Sequence, residues 1–306
     1  MLLLTTALAA DDTAYVPPDG LPGSGTTDAA RGETSVRFLV FGDWGNGSST
    51  QAVVAASMSE VCAINGCDFV VGVGDNFYPS GVASTSDAYW TDRFEAIYEL
   101  DVPFYMTLGN HDWGGVSAYT TSYAQAQVDY TLVSDRWVMP ETTWTQVIDN
   151  ITFIGLDTTT IYFNYGSAQA AWLPAELAAV TTEWTMIVGH HPYQSNGMHG
   201  NAGEYDGATG RGQSVKDFFD AYVCGQADVY FAGHDHSLQW PVSSCGGTEL
   251  LISGGGGGHS SLPGTGATNF EQATAGFLWV EVVGPVMTAV FYDSAATELY
   301  SGTILK

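Results

Sequence analysis

The sequence predicts an α/β fold, and three patterns support that class. Short β-branched or aromatic runs recur along the chain, and each ends abruptly in a glycine or leucine followed by a polar residue. Helix-like stretches separate several of these runs. Near the C-terminus, similar runs follow one another with only turns between them. Strands that alternate with helices favour a parallel or mixed sheet, and the last pattern adds an antiparallel meander.

The predicted strands before the meander are continuous apolar runs, which is typical of strands covered on both faces. Six are predicted, at 36–41, 69–73, 104–108, 151–155, 185–188 and 229–231.

Three helices are predicted, at 49–64, 168–180 and 214–223. Ser214 is a plausible N-cap of the third. Pro174 is awkward inside the second, because proline removes a backbone hydrogen bond, and suggests a helix start or a kink nearby.

The C-terminal meander is predicted at 277–283, 287–292 and 299–305. Composition does not change after Gly32, so residues 34–306 are predicted to form a single domain.

The N-terminal residues 1–10 are apolar and close with small residues, which predicts the remnant of a secretory signal peptide. An unstructured apolar terminus is the alternative. Residues 11–33, rich in Pro, Gly, Thr and Asp, are predicted to be a flexible leader. No later stretch reaches the ~18 apolar residues that span a membrane. We therefore expect a secreted or extracytoplasmic protein without a membrane partner.

Four cysteines support an oxidising compartment. Cys62 and Cys67 flank a turn-like sequence that suits a small disulfide loop, which would leave Cys224 to pair with Cys245. Four cysteines nevertheless allow three connectivities.

The formal net charge is −26, from 33 acidic residues against 7 Lys plus Arg. Nucleic acid is a poor partner for such a chain, because phosphate-backbone binding depends on Lys and Arg. If the substrate is an anion, bound metal is a better source of positive charge than so few basic side chains. The oligomeric state cannot be read from the sequence.

Polar side chains follow the predicted strands where open α/β sheets bind ligands. Mixed oxygen and imidazole donors suit zinc, iron or manganese, and a carboxylate such as Asp75 could bridge two ions. The candidates are Asp43, Asp75, Tyr78, Asn110, His111, His190, His199, His234 and His236.

Each motif alone has a simpler interpretation. Residues 42–45 could be an ordinary turn, 109–112 a turn or helix cap, and 233–236 a structural histidine pair. However, six of the seven histidines lie in or beside these strand ends, which makes independent coincidence a poor explanation. The set predicts a metal site.

Five ordered motifs resemble those of the purple acid phosphatases, and the chain is similar to the small, single-domain, tartrate-resistant type. The resemblance runs from about Val36 to the C-terminus and includes Leu156-Asp157-Thr158. It implies a metallophosphoesterase-type four-layer αββα sandwich of two mixed sheets, within the calcineurin-like metallophosphoesterases. The motifs are Gly42-Asp43-Trp44-Gly45, Gly74-Asp75-Asn76-Phe77-Tyr78, Gly109-Asn110-His111-Asp112, Gly189-His190-His191-Pro192 and Gly233-His234-Asp235-His236.

The resemblance also implies a role for each candidate. A ferric ion would be held by Asp43, Asp75, Tyr78 and His236. A divalent iron, zinc or manganese would be held by Asp75, Asn110, His190 and His234. The acid/base and phosphate-contacting residues would be His111 and His199.

Two positions favour this family over related phosphodiesterases. Many metallophosphoesterases carry a histidine where this chain has Gly45, which cannot bind a metal. Tyr78 would replace the lost donor, and a phenolate favours Fe(III). His190 is favoured over the adjacent His191 by the Gly-His-x-Pro register, although either could be the ligand.

The expected function is acid hydrolysis of small phosphate monoesters by hydroxide bound to an Fe(III)–M(II) centre, with His199 or His111 protonating the leaving group. The alternatives are a metal-dependent phosphodiesterase of the same superfamily and a non-catalytic secreted iron- or phosphate-binding protein. Asp112 and Asp157 are expected to orient ligand imidazoles, and His259 to be an exposed loop residue. The substrate entrance is expected to be shaped by loops at 80–89, 114–130 and 195–212.

Overall fold

The protein is described by a computed structural model over residues 26–28, 33–115 and 119–306. The predicted signal-peptide remnant at 1–10 and most of the predicted leader at 11–33 lie outside these residues. Within the leader, Thr26–Asp28 pairs antiparallel with the strand that begins at Glu33.

The described residues contain fifteen β-strands and five α-helices. The strands are β1 (Thr26–Asp28), β2 (Glu33–Phe41), β3 (Phe69–Gly72), β4 (Phe104–Met106), β5 (Trp137–Val138), β6 (Trp144–Ile148), β7 (Ile151–Gly155), β8 (Trp184–Val188), β9 (Val229–Ala232), β10 (Leu238–Pro241), β11 (Glu249–Ser253), β12 (Thr268–Gln272), β13 (Gly276–Val283), β14 (Val286–Asp293) and β15 (Glu298–Leu305). The helices are α1 (Ser49–Asn65), α2 (Thr121–Tyr130), α3 (Thr158–Tyr162), α4 (Ser167–Ala179) and α5 (Gln213–Tyr222).

The strands form two mixed sheets. The first has the order β15-β14-β13-β2-β3-β4-β5 with β1 beside β2, and the second has the order β12-β10-β11-β9-β8-β7-β6. Strands β2 to β5 are mutually parallel, as are β7, β8, β9 and β11. The other neighbours are antiparallel, including the meander β13 to β15.

Three clusters of buried side chains separate four layers. Between the sheets, Phe38 of β2 packs edge-to-face against Phe153 of β7, with ring centroids 5.3 Å apart. On the outer face of the first sheet, Phe41 belongs to the same cluster as Met58 of α1. On the outer face of the second sheet, Ile187 shares a cluster with residues of α4 and α5. Other layers cover both faces of each central strand. Successive side chains point to opposite faces, so both sets are buried and the strands are continuous apolar runs. The predicted αββα sandwich of two mixed sheets is confirmed.

Three local predictions need correction. Ser214 is not an N-cap, because α5 begins one residue earlier after Gly212, and the Ser214 hydroxyl donates to the Tyr162 carbonyl at 3.0 Å. Helix α4 begins at Ser167 and contains Pro174, so the proline does not mark the start of the helix. The segment 114–130, predicted to be a loop, contains α2, which buries small and polar side chains rather than an apolar stripe.

Both predicted disulfides are present, joining Cys62 to Cys67 and Cys224 to Cys245. Disulfides of this kind suggest an extracytoplasmic location. Among the described residues, no helix has the length and apolar character needed to cross a membrane.

Candidate metal centre

Three residues at strand ends adopt a left-handed backbone conformation that non-glycine residues seldom use. They are Asp43 after β2 (φ 59°), Asp75 after β3 (φ 52°) and His234 after β9 (φ 67°). Hydrogen bonds fix two of them: the Asp43 amide donates to Gly74 O at 3.0 Å, and the His234 amide donates to Asp43 Oδ2 at 2.9 Å. Such conformations are costly and concentrate at functional sites.

The first group of donor atoms surrounds the Tyr78 hydroxyl. Tyr78 Oη lies 3.0 Å from Asp75 Oδ2, 3.2 Å from Asp43 Oδ1 and 3.2 Å from His236 Nε2. These four residues come from loops after β2, β3 and β9, and so from both sheets. They are the four residues predicted as ferric ligands.

A second group surrounds the His190 imidazole. His190 Nε2 lies 3.2 Å from Asn110 Oδ1, 3.2 Å from His234 Nδ1 and 3.4 Å from Asp75 Oδ2. The same Asp75 oxygen therefore belongs to both groups. The structure brings all seven predicted metal ligands together, in two sets that share one carboxylate.

The electrostatics of this cluster suit cations. Asp43, Asp75 and His190 are buried, and one potential ligand atom from each lies within 4.8 Å of the others. Against the effect of burial, the Asp75 and Asp43 carboxylates raise the pKa of His190 to about 9. Burial opposes ionisation of Asp75 as well, yet His190 and His111 lower the pKa of that carboxyl. Buried carboxylates beside phenol, amide and imidazole donors form a set that fits iron, zinc or manganese.

His111 adjoins the first donor group. Its backbone amide donates to Asp75 Oδ1 at 2.8 Å, and its Nδ1 lies 2.7 Å from Pro79 O. The imidazole packs on Tyr78 with ring centroids 4.4 Å apart. With Nδ1 occupied by the carbonyl, Nε2 is the nitrogen left for other partners.

His199 adjoins the second donor group. Its ring stacks on His234 with centroids 4.1 Å apart. Its backbone amide donates to Asp235 Oδ1 at 2.7 Å, and the other oxygen of Asp235 accepts from the Ser195 hydroxyl. The buried Asp235 carboxylate thereby ties the 195–200 segment to the histidine motif.

His191 points to a different neighbourhood from His190. Its Nδ1 lies 2.9 Å from the Thr158 hydroxyl, and its ring stacks on Tyr162 at 5.3 Å. His190 Nδ1 instead lies 2.9 Å from Val73 O, which directs Nε2 towards the donor group. The geometry therefore favours His190 over His191 as a donor.

Asp112 and Asp157 accept hydrogen bonds from backbone amides, and Asp112 also from a side-chain amide, rather than from ligand imidazoles. Asp112 accepts from the amides of Gly109, Asn76 and Phe77 and from Gln127 Nε2, at 2.8–3.1 Å. Asp157 caps α3 through the amides of Thr159 and Thr160. Asp112 thus fixes the loops that carry Asp75 and Asn110. The expectation that it orients a ligand imidazole is not met.

A cleft of about 320 Å³ opens beside both donor groups. Segments 114–130 and 195–212 contribute to its lining, whereas 80–89, among the described residues, does not. His259 is exposed, as predicted. The lining residues are Asp75, Asn110, His111, Gly115, Tyr162, Phe163, His191, His199, Tyr205, Asp206, Arg211, His234 and His236.

Two supports of the site were missed from the sequence. The glycine run after β11 packs under the Asp43 loop, where a Cβ at Gly257 would lie 2.7 Å from Asp43 O and a Cβ at Gly256 2.6 Å from Gly42 O. Arg93 Nη1 donates to Gly45 O at 2.8 Å and also to Tyr78 O, joining two ligand-bearing loops. The signal for Arg93 was its rarity, since the chain has only 7 Lys plus Arg.

The two-sheet fold and shared donor groups define the class of protein. The chain belongs to the calcineurin-like phosphoesterase family, whose sequence profile matches residues 36–238. Within it the relatives are purple acid phosphatases. The chain is 31% identical to purple acid phosphatase 3 of Arabidopsis thaliana, over 85% of this chain and 75% of that protein. It is 26% identical to human tartrate-resistant acid phosphatase type 5, over 87% of this chain and 90% of that one. The protein is thus an enzyme of the acid phosphatase class.

Solved structures agree on the fold. GAP50, described as the anchor in the inner membrane complex of Plasmodium, superposes with a TM-score of 0.71 at 20% identity, covering 89% of each chain. The purple acid phosphatase PPD1 from yellow lupin, Lupinus luteus, gives a TM-score of 0.65 at 18% identity, covering 89% of this chain and 54% of the lupin chain.

Proposed function

We propose that the protein hydrolyses phosphate monoesters of small molecules, using Fe(III) and a divalent ion held by the two donor groups. Asp43, Asp75, Tyr78 and His236 would hold the ferric ion. The divalent iron, zinc or manganese would be held by Asp75, Asn110, His190 and His234. The observation that carries the proposal is the shared oxygen Asp75 Oδ2, which contacts Tyr78 Oη at 3.0 Å and lies 3.4 Å from His190 Nε2. The bound ions would supply the positive charge that binds phosphate and would acidify water for attack.

The chain contributes proton donors beside these groups. His111 and His199 both line the cleft and belong to neither donor set. His111 is fixed by Pro79 O and His199 by its stack on His234. Each imidazole would contact the phosphate or protonate the leaving oxygen, a role worth ~10²–10⁴ in rate. A protein that only bound iron or phosphate would have no use for two such histidines.

Gly45 favours a monoesterase over the phosphodiesterase alternative. A Cβ at this position would lie 1.7 Å from Asn76 O, so no side chain fits there without moving the Asp75 loop. A histidine donor at this position is incompatible with the observed backbone. Tyr78 Oη stands beside Asp43 instead, which supports a phenolate-bearing ferric site.

The test is hydrolysis by the purified, metal-loaded protein, with metal analysis and an absorption spectrum of the same sample. We expect about one iron and one further metal per chain, a visible charge-transfer band, and turnover of p-nitrophenyl phosphate below neutral pH. Bis-p-nitrophenyl phosphate should be hydrolysed more slowly. A preference for the diester would support the phosphodiesterase alternative, and a fully loaded protein without turnover would support the binding protein.

Three sequence-based expectations remain predictions: secretion directed by the signal remnant at 1–10, a flexible leader at 11–33, and a single domain at 34–306. Sequencing the N-terminus of the mature protein would test the first two. The strongly acidic composition still argues against nucleic-acid partners.

A further inference from the structure

Asp206 links a proposed catalytic histidine to an arginine at the rim of the cleft. Its Oδ1 lies 2.7 Å from His199 Nδ1, and its Oδ2 accepts from Arg211 Nη1 at 2.6 Å. All three residues line the cleft. Because an ionised carboxylate can only accept hydrogen bonds, the first contact places the proton on His199 Nδ1.

The backbone holds Asp206 in this position. Its amide donates to His199 O at 2.8 Å, so main chain and side chain bind the same histidine. Its φ of 55° puts it in the left-handed region occupied by Asp43, Asp75 and His234. Burial acts to raise the pKa of Asp206, but the hydrogen bonds from His199 and Arg211 lower it overall, so the carboxylate is ionised.

We propose that Asp206 is a positioning residue for His199, with Arg211 holding the carboxylate in place. The inference rests on the proposed function and assigns to His199, rather than His111, the protonation of the leaving group. Asp206 fixes the ring rotation and keeps a proton on Nδ1, so that Nε2 is the nitrogen presented to the cleft. As the bond from phosphorus to the leaving oxygen breaks, the Nε2 proton passes to that oxygen. The imidazole is left neutral and still bonded to Asp206 through Nδ1.

The dependence on the leaving group tests this role. Glycerol 2-phosphate releases a poor leaving group that needs a proton, whereas p-nitrophenolate leaves readily without one. Asp206→Ala should lower kcat for glycerol 2-phosphate by about 10-fold or more, and kcat and KM for p-nitrophenyl phosphate by less than about 3-fold. Asp206→Asn should retain most of the activity, because its amide oxygen can still accept from Nδ1. Arg211→Gln should show a weaker form of the same selective loss.

A double mutant shows whether Asp206 acts through His199. Adding Asp206→Ala to His199→Ala should cause no further loss beyond that of His199→Ala, because coupled residues are not additive. Asp220→Ala is the matched control. The Asp220 carboxylate likewise accepts from an aromatic residue and a cation, Tyr193 Oη at 2.7 Å and Lys216 Nζ at 2.6 Å, but away from this cleft. It should leave both substrates unaffected.

Equal losses on both substrates, a further loss in the double mutant, or no effect of Asp206→Ala would each overturn the proposal. The wild-type protein, measured on both substrates, is the reference for the variants. If it hydrolyses neither monoester, the proposed function fails. If it hydrolyses both and Asp206→Ala behaves like wild type, only the role of Asp206 fails.

Discussion

Tyr78 Oη lies 3.0 Å from Asp75 Oδ2, and this contact joins two residues that lie three positions apart on the loop after β3. Burial, followed by the negative charge of Asp75 and Asp43, raises the pKa of Tyr78 well above its usual 10. The phenol therefore ionises only when a cation takes the place of its proton. Metal loading and loss of this proton should be coupled.

Tyr78→Phe should abolish the visible band and weaken iron binding, because it removes the phenolic oxygen without changing the ring. Losing a residue that only hydrogen-bonds a metal ligand costs ~10–100-fold in metal affinity, and losing a ligand itself should cost at least as much iron affinity. Absorption spectra and metal analysis after dialysis would measure both effects. Tyr165→Phe is the control, since that side chain is 63% exposed. A variant that keeps the wild-type band would show that Tyr78 is not the phenolate donor.

His190→Ala and His191→Ala should differ in metal content although the residues are adjacent. His190 Nε2 lies among Asn110, His234 and Asp75, whereas His191 Nδ1 pairs with Thr158. We expect His190→Ala to lose the divalent ion and activity together. His191→Ala should keep the metal and lose stability, by about 1–3 kcal/mol, because the Thr158 hydroxyl loses its imidazole partner. Loss of metal from the second variant alone would reverse the assignment.

Nine of the fifteen strands in the described residues were predicted, because their continuous apolar runs are typical of buried strands, whereas β1, β5, β6, β10, β11 and β12 were not predicted. Strand β7, at Ile151–Gly155, is buried along its whole length and was predicted with the same bounds. Helix α2 was missed because its buried face is formed by alanines, Gln127 and Tyr130, which make no apolar period. Its burial is set by tertiary packing, since Gln127 Nε2 donates to Asp112 Oδ1 at 2.8 Å.

The donor residues of the site were predictable because each directly follows a strand or lies in the same short motif. Its supports were less visible, because they act through contacts distant in sequence. Asn46 Nδ2, for example, donates to Gly257 O across 211 positions, and no local sequence pattern predicts that hydrogen bond. Asp206 was missed for another reason: its short loop has no strand before it, and only the folded chain brings its carboxylate to His199.

The two disulfides should contribute unequally to stability. Removing a cross-link restores chain entropy to the unfolded state, and the effect grows with the loop that is closed. Cys224 and Cys245 are 21 positions apart, whereas Cys62 and Cys67 are 5 apart. Alanine replacement of the first pair should cost about 3 kcal/mol and of the second about 2 kcal/mol. Urea unfolding of the two double variants measures this. A larger loss for the 62–67 pair would contradict the entropic account.

Stability should fall as pH rises from acid to neutral, in part through Asp157. Burial raises the pKa of this carboxyl to about 7, despite hydrogen bonds from the amides of Thr160 and Thr159. Since its ordinary value is 3.8, the folded state binds the proton more tightly than the unfolded state between these two values. The stabilisation is therefore complete below the unfolded pKa and is lost as pH rises through about 7. Between about pH 5 and about pH 8, Asp157 should account for about 2–3 kcal/mol of this loss.

Asp157→Asn isolates that ionisation, because asparagine can still cap α3 and cannot titrate. The variant should show a flatter dependence of unfolding free energy on pH, measured by urea unfolding of metal-loaded protein. Some slope should remain, because burial, with the charge of Asp75, raises the pKa of Asp112 to about 6. Curves for wild type and variant that run parallel from about pH 5 to about pH 8 would show that Asp157 titrates normally in the folded protein. A flattened curve would show that Asp157 binds its proton more tightly in the folded protein than in the unfolded chain, so that folding is favoured at acidic pH.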